Sequence, residues 1–157
     1  LEHKKAYRLI KGKVPDDYYT IPFGKADVKR AGTDMTVVAF GLMLHETLNA
    51  AEQVAAEGIS VEVVDPRSLN PIDKETILAS VKKTSKVLIV YEDNLTLGWG
   101  AEVAAIVASE AFESLDAPVM RVAGPDIPAV PFSRPMQDFF MPNAEKIAAA
   151  IRKLAKY

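Results

Sequence analysis

The sequence predicts an α/β domain with a mostly parallel sheet covered by helices on both faces. Three observations carry this. Short, nearly all-apolar runs recur at residues 36–40, 61–65 and 87–91, as in strands buried on both faces. Between them apolar residues recur at helical spacing. Glycine, aspartate and asparagine stand where those helices would start or stop. Strand alternating with helix gives parallel pairing, with right-handed crossovers.

Residues 26–30 carry charge at alternate positions and predict a short edge strand, closed by a turn at Ala31-Gly32-Thr33-Asp34. Thr36-Val37-Val38-Ala39-Phe40 is the first buried strand. Leu44, Leu48, Ala51 and Ala55 then mark a helix that Gly58 ends. Val61-Glu62-Val63-Val64-Asp65 is the next strand. Asp73 caps a helix with Ile77, Leu78 and Val81 inward and Lys82 and Lys83 in the last turn, where cations suit the helix dipole. Val87-Leu88-Ile89-Val90-Tyr91 is a strand, and a helix buried through Val103, Ile106, Val107 and Ala111 opens near Gly100. Val119-Met120-Arg121-Val122 is a further strand. Asn143 caps a last helix buried through Ile147, Ile151 and Leu154. Residues 1–25 read as a lead-in.

Residues 124–142 interrupt this rhythm. Five prolines, at 125, 128, 131, 135 and 142, predict neither regular helix nor central strand. Long irregular connections are often functional. This one carries Phe132, Met136, Phe139, Phe140 and Met141. These side chains either fold back onto their own domain or meet a partner chain; Phe132, Met136, Phe139 and Phe140 are the candidate subunit interface.

Composition narrows the function. With 49% hydrophobic and 25% charged residues the chain is neither disordered nor fibrous. A net charge of −2 suggests no basic nucleic-acid face. The absence of cysteine removes thiolate catalysis and cysteine-ligated metal, and is compatible with a reducing compartment. No apolar run approaches the ~20 residues of a membrane span. The charged start, Leu1-Glu2-His3-Lys4-Lys5, lacks an initiator methionine and a signal-peptide core, so we expect a piece of a longer protein.

Candidate chemistry is sparse. Gly98-Trp99-Gly100-Ala101-Glu102 opens a helix after a strand, a place where backbone amides hold anions. It lacks the third glycine of a dinucleotide fingerprint and a ribose-binding acid about 20 residues on; tight helix–sheet packing explains the glycines equally. His45, Glu92 and Asp93 fall at strand ends on the carboxyl edge of the sheet, where open α/β proteins bind ligands, without a second metal ligand or activated hydroxyl. Ser85, Ser109 and Ser133 lie in no nucleophile elbow. From these residues the alternatives are a nucleotide- or anion-binding regulatory domain, or a domain without an active site.

The linear order of several segments resembles one family. They are Tyr7-Arg8-Leu9-Ile10-Lys11-Gly12, Tyr19-Thr20-Ile21-Pro22-Phe23-Gly24-Lys25-Ala26, Gly58-Ile59-Ser60-Val61-Glu62-Val63-Val64-Asp65 and Asp73-Lys74-Glu75-Thr76-Ile77, then Gly98-Trp99-Gly100-Ala101-Glu102, Asp116-Ala117-Pro118 and Arg121-Val122-Ala123-Gly124-Pro125-Asp126. Across essentially the whole chain this is similar to the C-terminal domain of the beta subunit of thiamine-diphosphate-dependent 2-oxo acid dehydrogenases: pyruvate, branched-chain 2-oxo acid and acetoin dehydrogenases. Tyr91-Glu92 stands where the family often has His-Glu. Another thiamine enzyme of the transketolase group is the alternative within the same fold.

The resemblance implies a three-layer α/β/α domain of the transketolase C-terminal type, its five-stranded sheet mostly parallel with one antiparallel edge strand at residues 26–30. Residues 1–25 would lead in from a preceding pyrimidine-binding domain, and residues 26–157 would form the domain itself. It implies a heterotetramer of two alpha and two beta subunits that uses thiamine diphosphate and magnesium to decarboxylate a 2-oxo acid and pass the acyl group to a lipoyl arm. The Gly-Asp-Gly…Asn cofactor signature is absent here, so no catalytic, cofactor or metal residue is carried over. What carries over is assembly: contact with the alpha subunit and the second beta subunit, and docking of the basic peripheral subunit-binding domain of the lipoyl acyltransferase. Its anionic partners would be Asp116 and the terminal carboxylate at Tyr157. The implied location is cytoplasmic, or the mitochondrial matrix in a eukaryote, with no nucleic-acid or membrane partner.

Overall fold

In the computed structural model, which describes residues 3–157, five strands form one sheet: β1 (Asp27–Arg30), β2 (Met35–Ala39), β3 (Val61–Asp65), β4 (Val87–Asn94) and β5 (Met120–Gly124), in the order β1-β3-β2-β4-β5. All neighbours pair in parallel except β1, which runs antiparallel to β3 at the edge, with an irregularity between Val28 and Arg30. The predicted edge strand is therefore present, and its charged positions blunt an otherwise open sheet edge.

The alternation of side chains along the central strand sorts the core into two layers. Met35, Val37 and Ala39 of β2, with Val61, Val63, Leu88 and Val90, pack against α2 (Leu42–Ala55) and α6 (Ala144–Leu154). Val38, with Val64, Val87, Ile89 and Tyr91, packs against α3 (Lys74–Thr84) and α4 (Trp99–Glu110). The result is three layers, α/β/α. Both predicted caps form: Asp73 Oδ1 accepts from the Thr76 amide at 3.1 Å, and Asn143 Oδ1 from the Lys146 amide at 2.9 Å. Each satisfies an amide that the helix start would otherwise leave orphaned.

Two expectations are corrected. The inward stripe of α2 runs through Leu44, Thr47, Ala51 and Val54, and Ala55 is exposed. Leu48 lies at the margin of this layer. Its end follows the expected glycine: Gly58, at φ +84°, donates to Ala55 O, and Ile59 to Val54 O. The proline-rich stretch does contain a helix, α5 (Arg134–Phe140). Pro135 lies in its first turn, where a missing amide hydrogen costs nothing and the fixed φ already suits a helix.

One acid is buried in the sheet. Glu62 of β3 is 2% exposed. Its carboxylate receives the Lys83 ammonium from α3 and the Gly32 amide. Burial alone would raise its pKa; hydrogen bonds from Lys83, Ser80 and Gly32 outweigh burial and hold it below the ordinary value. A shallow cleft between α3 and β1 lies over this pair, with Lys25, Glu75 and Thr76 on its walls.

Candidate functional site

The two positions that the resemblance implies for docking, Asp116 and Tyr157, lie on one surface. Helix α4 ends at Glu110, and a 3-10 turn over Phe112–Ser114 follows. The Ser114 amide donates to Ala111 O at 2.9 Å and the Leu115 amide to Phe112 O at 3.1 Å. The Asp116 amide donates to Ser85 O at 2.8 Å, which ties this corner to the left-handed C-cap of α3. Ala117 is buried just beyond, so the backbone is fixed while the Asp116 side chain faces solvent. From the other end of the chain, α6 delivers Tyr157, whose amide donates to Leu154 O at 3.3 Å above the fully buried Leu154.

Phe112, Glu113, Leu115, Asp116, Pro118 and Tyr157 line one open cleft of about 820 Å³. Residues 41 positions apart thus share a surface whose walls are mainly apolar. Among the described residues, neither Glu113 nor Asp116 has a side-chain ion-pair partner. Unpaired carboxylates on an apolar wall suit the guanidinium or ammonium group of a partner. Phe112 and Glu113 were not among the sequence-derived candidates. An aromatic residue just past the end of a helix was the available signal.

The aromatic segment divides. Phe140 is 4% exposed and packs beside Gly124, where an added Cβ would lie 2.7 Å from its ring. It therefore belongs to the domain's own interior rather than to an external interface. Phe132 is fully exposed, and Met136 and Phe139 are largely so. They stand on or beside α5. The Lys146 ammonium holds the C-terminal end of that helix, donating to the carbonyls of Asp138, Phe139 and Met141 at 2.7 Å each.

At the carboxyl edge, the strand order reverses between β2 and β4, the usual ligand crevice of an open α/β sheet. Here one side chain of the lead-in, that of His3, reaches this edge. His3 Nε2 lies 2.7 Å from Glu92 Oε2, and its ring is 3.6 Å from where a Cβ on Gly41 would stand. His45 sits in the first turn of α2, half-buried, and Asp93 is exposed near the end of β4. The glycines that open α4 are accounted for by packing. A Cβ on Gly98 or Gly100 would lie 2.6 Å or 2.0 Å from the ring of the buried Tyr91. They make room for that ring and, at Gly98, for the Asn94 carbonyl, 2.2 Å from where the Cβ would stand.

Among the described residues, no three histidine, aspartate or glutamate side chains group as metal ligands.

A three-layer α/β/α domain whose five-stranded sheet has one antiparallel edge strand is the architecture of the transketolase C-terminal type. Residues 24–147 match the transketolase C-terminal domain family, and the chain belongs to it. It is 52% identical over 156 residues to the 2-oxoisovalerate dehydrogenase subunit beta of Bacillus subtilis (strain 168), covering 99% of this chain and 48% of that protein. It is 44% identical over 157 residues to the pyruvate dehydrogenase E1 component subunit beta of the same organism, covering 100% and 48%. The chain spans about half the length of the curated relatives it matches. Among solved structures it resembles a split gene transketolase described as an inactive beta4 tetramer, with TM-score 0.78, 31% identity, and coverage of 94% of this chain and 46% of that one.

Proposed function

We propose that this chain is the assembly and docking domain of the beta subunit of a 2-oxo acid dehydrogenase's decarboxylating component. In this reading residues 1–25 lead in from a preceding domain and residues 26–157 form the docking domain. The intact heterotetramer decarboxylates a 2-oxo acid and acylates lipoamide; thiamine diphosphate and magnesium belong to that assembly, and the isolated domain is inactive. The alpha subunit, a second beta subunit and the peripheral subunit-binding domain of the lipoyl acyltransferase are its partners. The enzyme would work in the cytoplasm, or in the mitochondrial matrix of a eukaryote.

The observation that carries this reading is the shared cleft of Asp116 and Tyr157 with its unpaired carboxylates. A basic docking domain would place Arg or Lys between Asp116 and the carboxylate at Tyr157, a charge-assisted arrangement that steers association and weakens with salt. Phe132, Met136 and Phe139 would meet a neighbouring subunit. Identities of 52% and 44% to dehydrogenase beta subunits favour this reading over another thiamine enzyme, to which the 31% identity of the split transketolase points.

Calorimetry of the chain against a peripheral subunit-binding domain, at two salt concentrations, tests it. Binding should weaken with salt and weaken strongly in Asp116→Ala. Equal affinity at low and high salt would remove the electrostatic reading.

A further inference from the structure

We propose that Phe112 is the apolar anchor of this docking surface, seating an apolar flank of the partner beside the cation received by Asp116. This rests on the docking reading above.

Phe112 is 72% exposed. Its own fold makes little use of the ring, yet its position is fixed. Ala111 before it is buried, Leu115 after it packs against the core, and the backbone bonds of the turn hold the three residues between. An exposed aromatic on a rigid turn keeps its orientation at little entropic cost, a property of interface anchors.

The ring also stands on a ridge. On one side is the cleft with Asp116 and Tyr157. On the other, Phe112 and Glu113 help line a second cleft of about 460 Å³ with Lys82, Ser109, Glu110 and Ser114. Glu110 is already engaged by the Lys74 ammonium at 2.9 Å. Glu113 and Asp116 are left to flank the ring.

That pattern selects one class of occupant: a basic face of a protein domain whose Arg or Lys stem, or an adjacent aliphatic side chain, lies across the ring while the charged head reaches a carboxylate. An arginine there gains a cation–π contribution as well. A second copy of the same surface would bring like charges together and is disfavoured.

Binding of a peripheral subunit-binding domain to the full chain, by calorimetry at several salt concentrations and temperatures, separates this proposal from the reading beneath it. Phe112→Ala should weaken binding at least about tenfold, leave the salt dependence unchanged, and make the heat-capacity change of binding less negative. Phe112→Leu should recover most of the affinity. Asp116→Ala should instead reduce the salt dependence. Wild-type binding that Phe112→Ala leaves intact would overturn the anchor while the docking reading stands. No binding by the wild-type chain would overturn both.

Discussion

The ring of Tyr91 occupies the space that a side chain at Gly100 would need: a Cβ there would lie 2.0 Å from Cε1. Tyr91 is fully buried and cannot swing aside. Its hydroxyl donates to Leu95 O at 3.4 Å and accepts from Arg121 Nη1 at 3.1 Å. Gly100→Ala should therefore destabilise the domain by about 2–3 kcal/mol through overpacking. In a Tyr91→Ala background the same change should cost little, because the obstructing ring is gone. Urea denaturation of the four chains gives the cycle. An equal cost in both backgrounds would show that the ring is not what excludes the methyl group.

That relationship also marks where the sequence stops being informative. The runs at Val37-Val38-Ala39 and Leu88-Ile89-Val90 announce buried strands because a two-sided environment demands unbroken apolar residues. Asp73 and Asn143 announce helix starts because capping is local chemistry. Asp116 and Tyr157 could be paired only through family resemblance, since 41 residues separate them and the sheet brings them together. Nothing local to the run at 61–65 marks Glu62 as buried; its burial depends on Lys83 reaching down from another element. The proline pattern concealed α5 because Pro135 falls in the first turn, where it favours a helix instead of breaking one. His3 lies 89 residues from Glu92, and no periodicity relates such positions.

Asp73 links two elements through one carboxylate. Oδ1 accepts from the Thr76 amide at 3.1 Å. Oδ2 accepts from the Ala26 amide at 2.9 Å and the Thr76 hydroxyl at 2.8 Å. Burial favours its protonated form, but the hydrogen bonds from Ala26 and Thr76 prevail and lower its pKa below the ordinary 3.8. A folded pKa below the unfolded one gives stability that is present above the unfolded pKa. It is lost as pH falls through the folded pKa. Asp73→Asn should cost about 1–2 kcal/mol at pH 7. The gap between the two chains should shrink as pH drops below about 4. Thermal or urea melts across that range give the answer, and a gap independent of pH would mean that the ionised form contributes nothing.

The position of α5, with its exposed Met136 and Phe139, is held by Lys146. Its ammonium donates to three carbonyls at and just beyond the end of α5, at 2.7 Å each, where a cation also complements the helix dipole. A seven-residue helix is too short to hold itself in water, so this contact, with the buried Phe140, keeps Phe139 and Met136 in place. Lys146→Met retains the aliphatic stem and removes the donors. Local opening of α5 should become cheaper by about 1.5–3 kcal/mol, the range for hydrogen bonds to a charged group. Hydrogen exchange at the Met141 amide, which donates to Gln137 O at 2.8 Å, should accelerate about tenfold or more. Amides of β2 and β4, which open only by global unfolding, should lose no more than the same free energy, since that contact is broken in the unfolded chain too, and should remain far slower than Met141. Unchanged exchange at Met141 would mean that Phe140 alone fixes the helix and that Lys146 is dispensable to it.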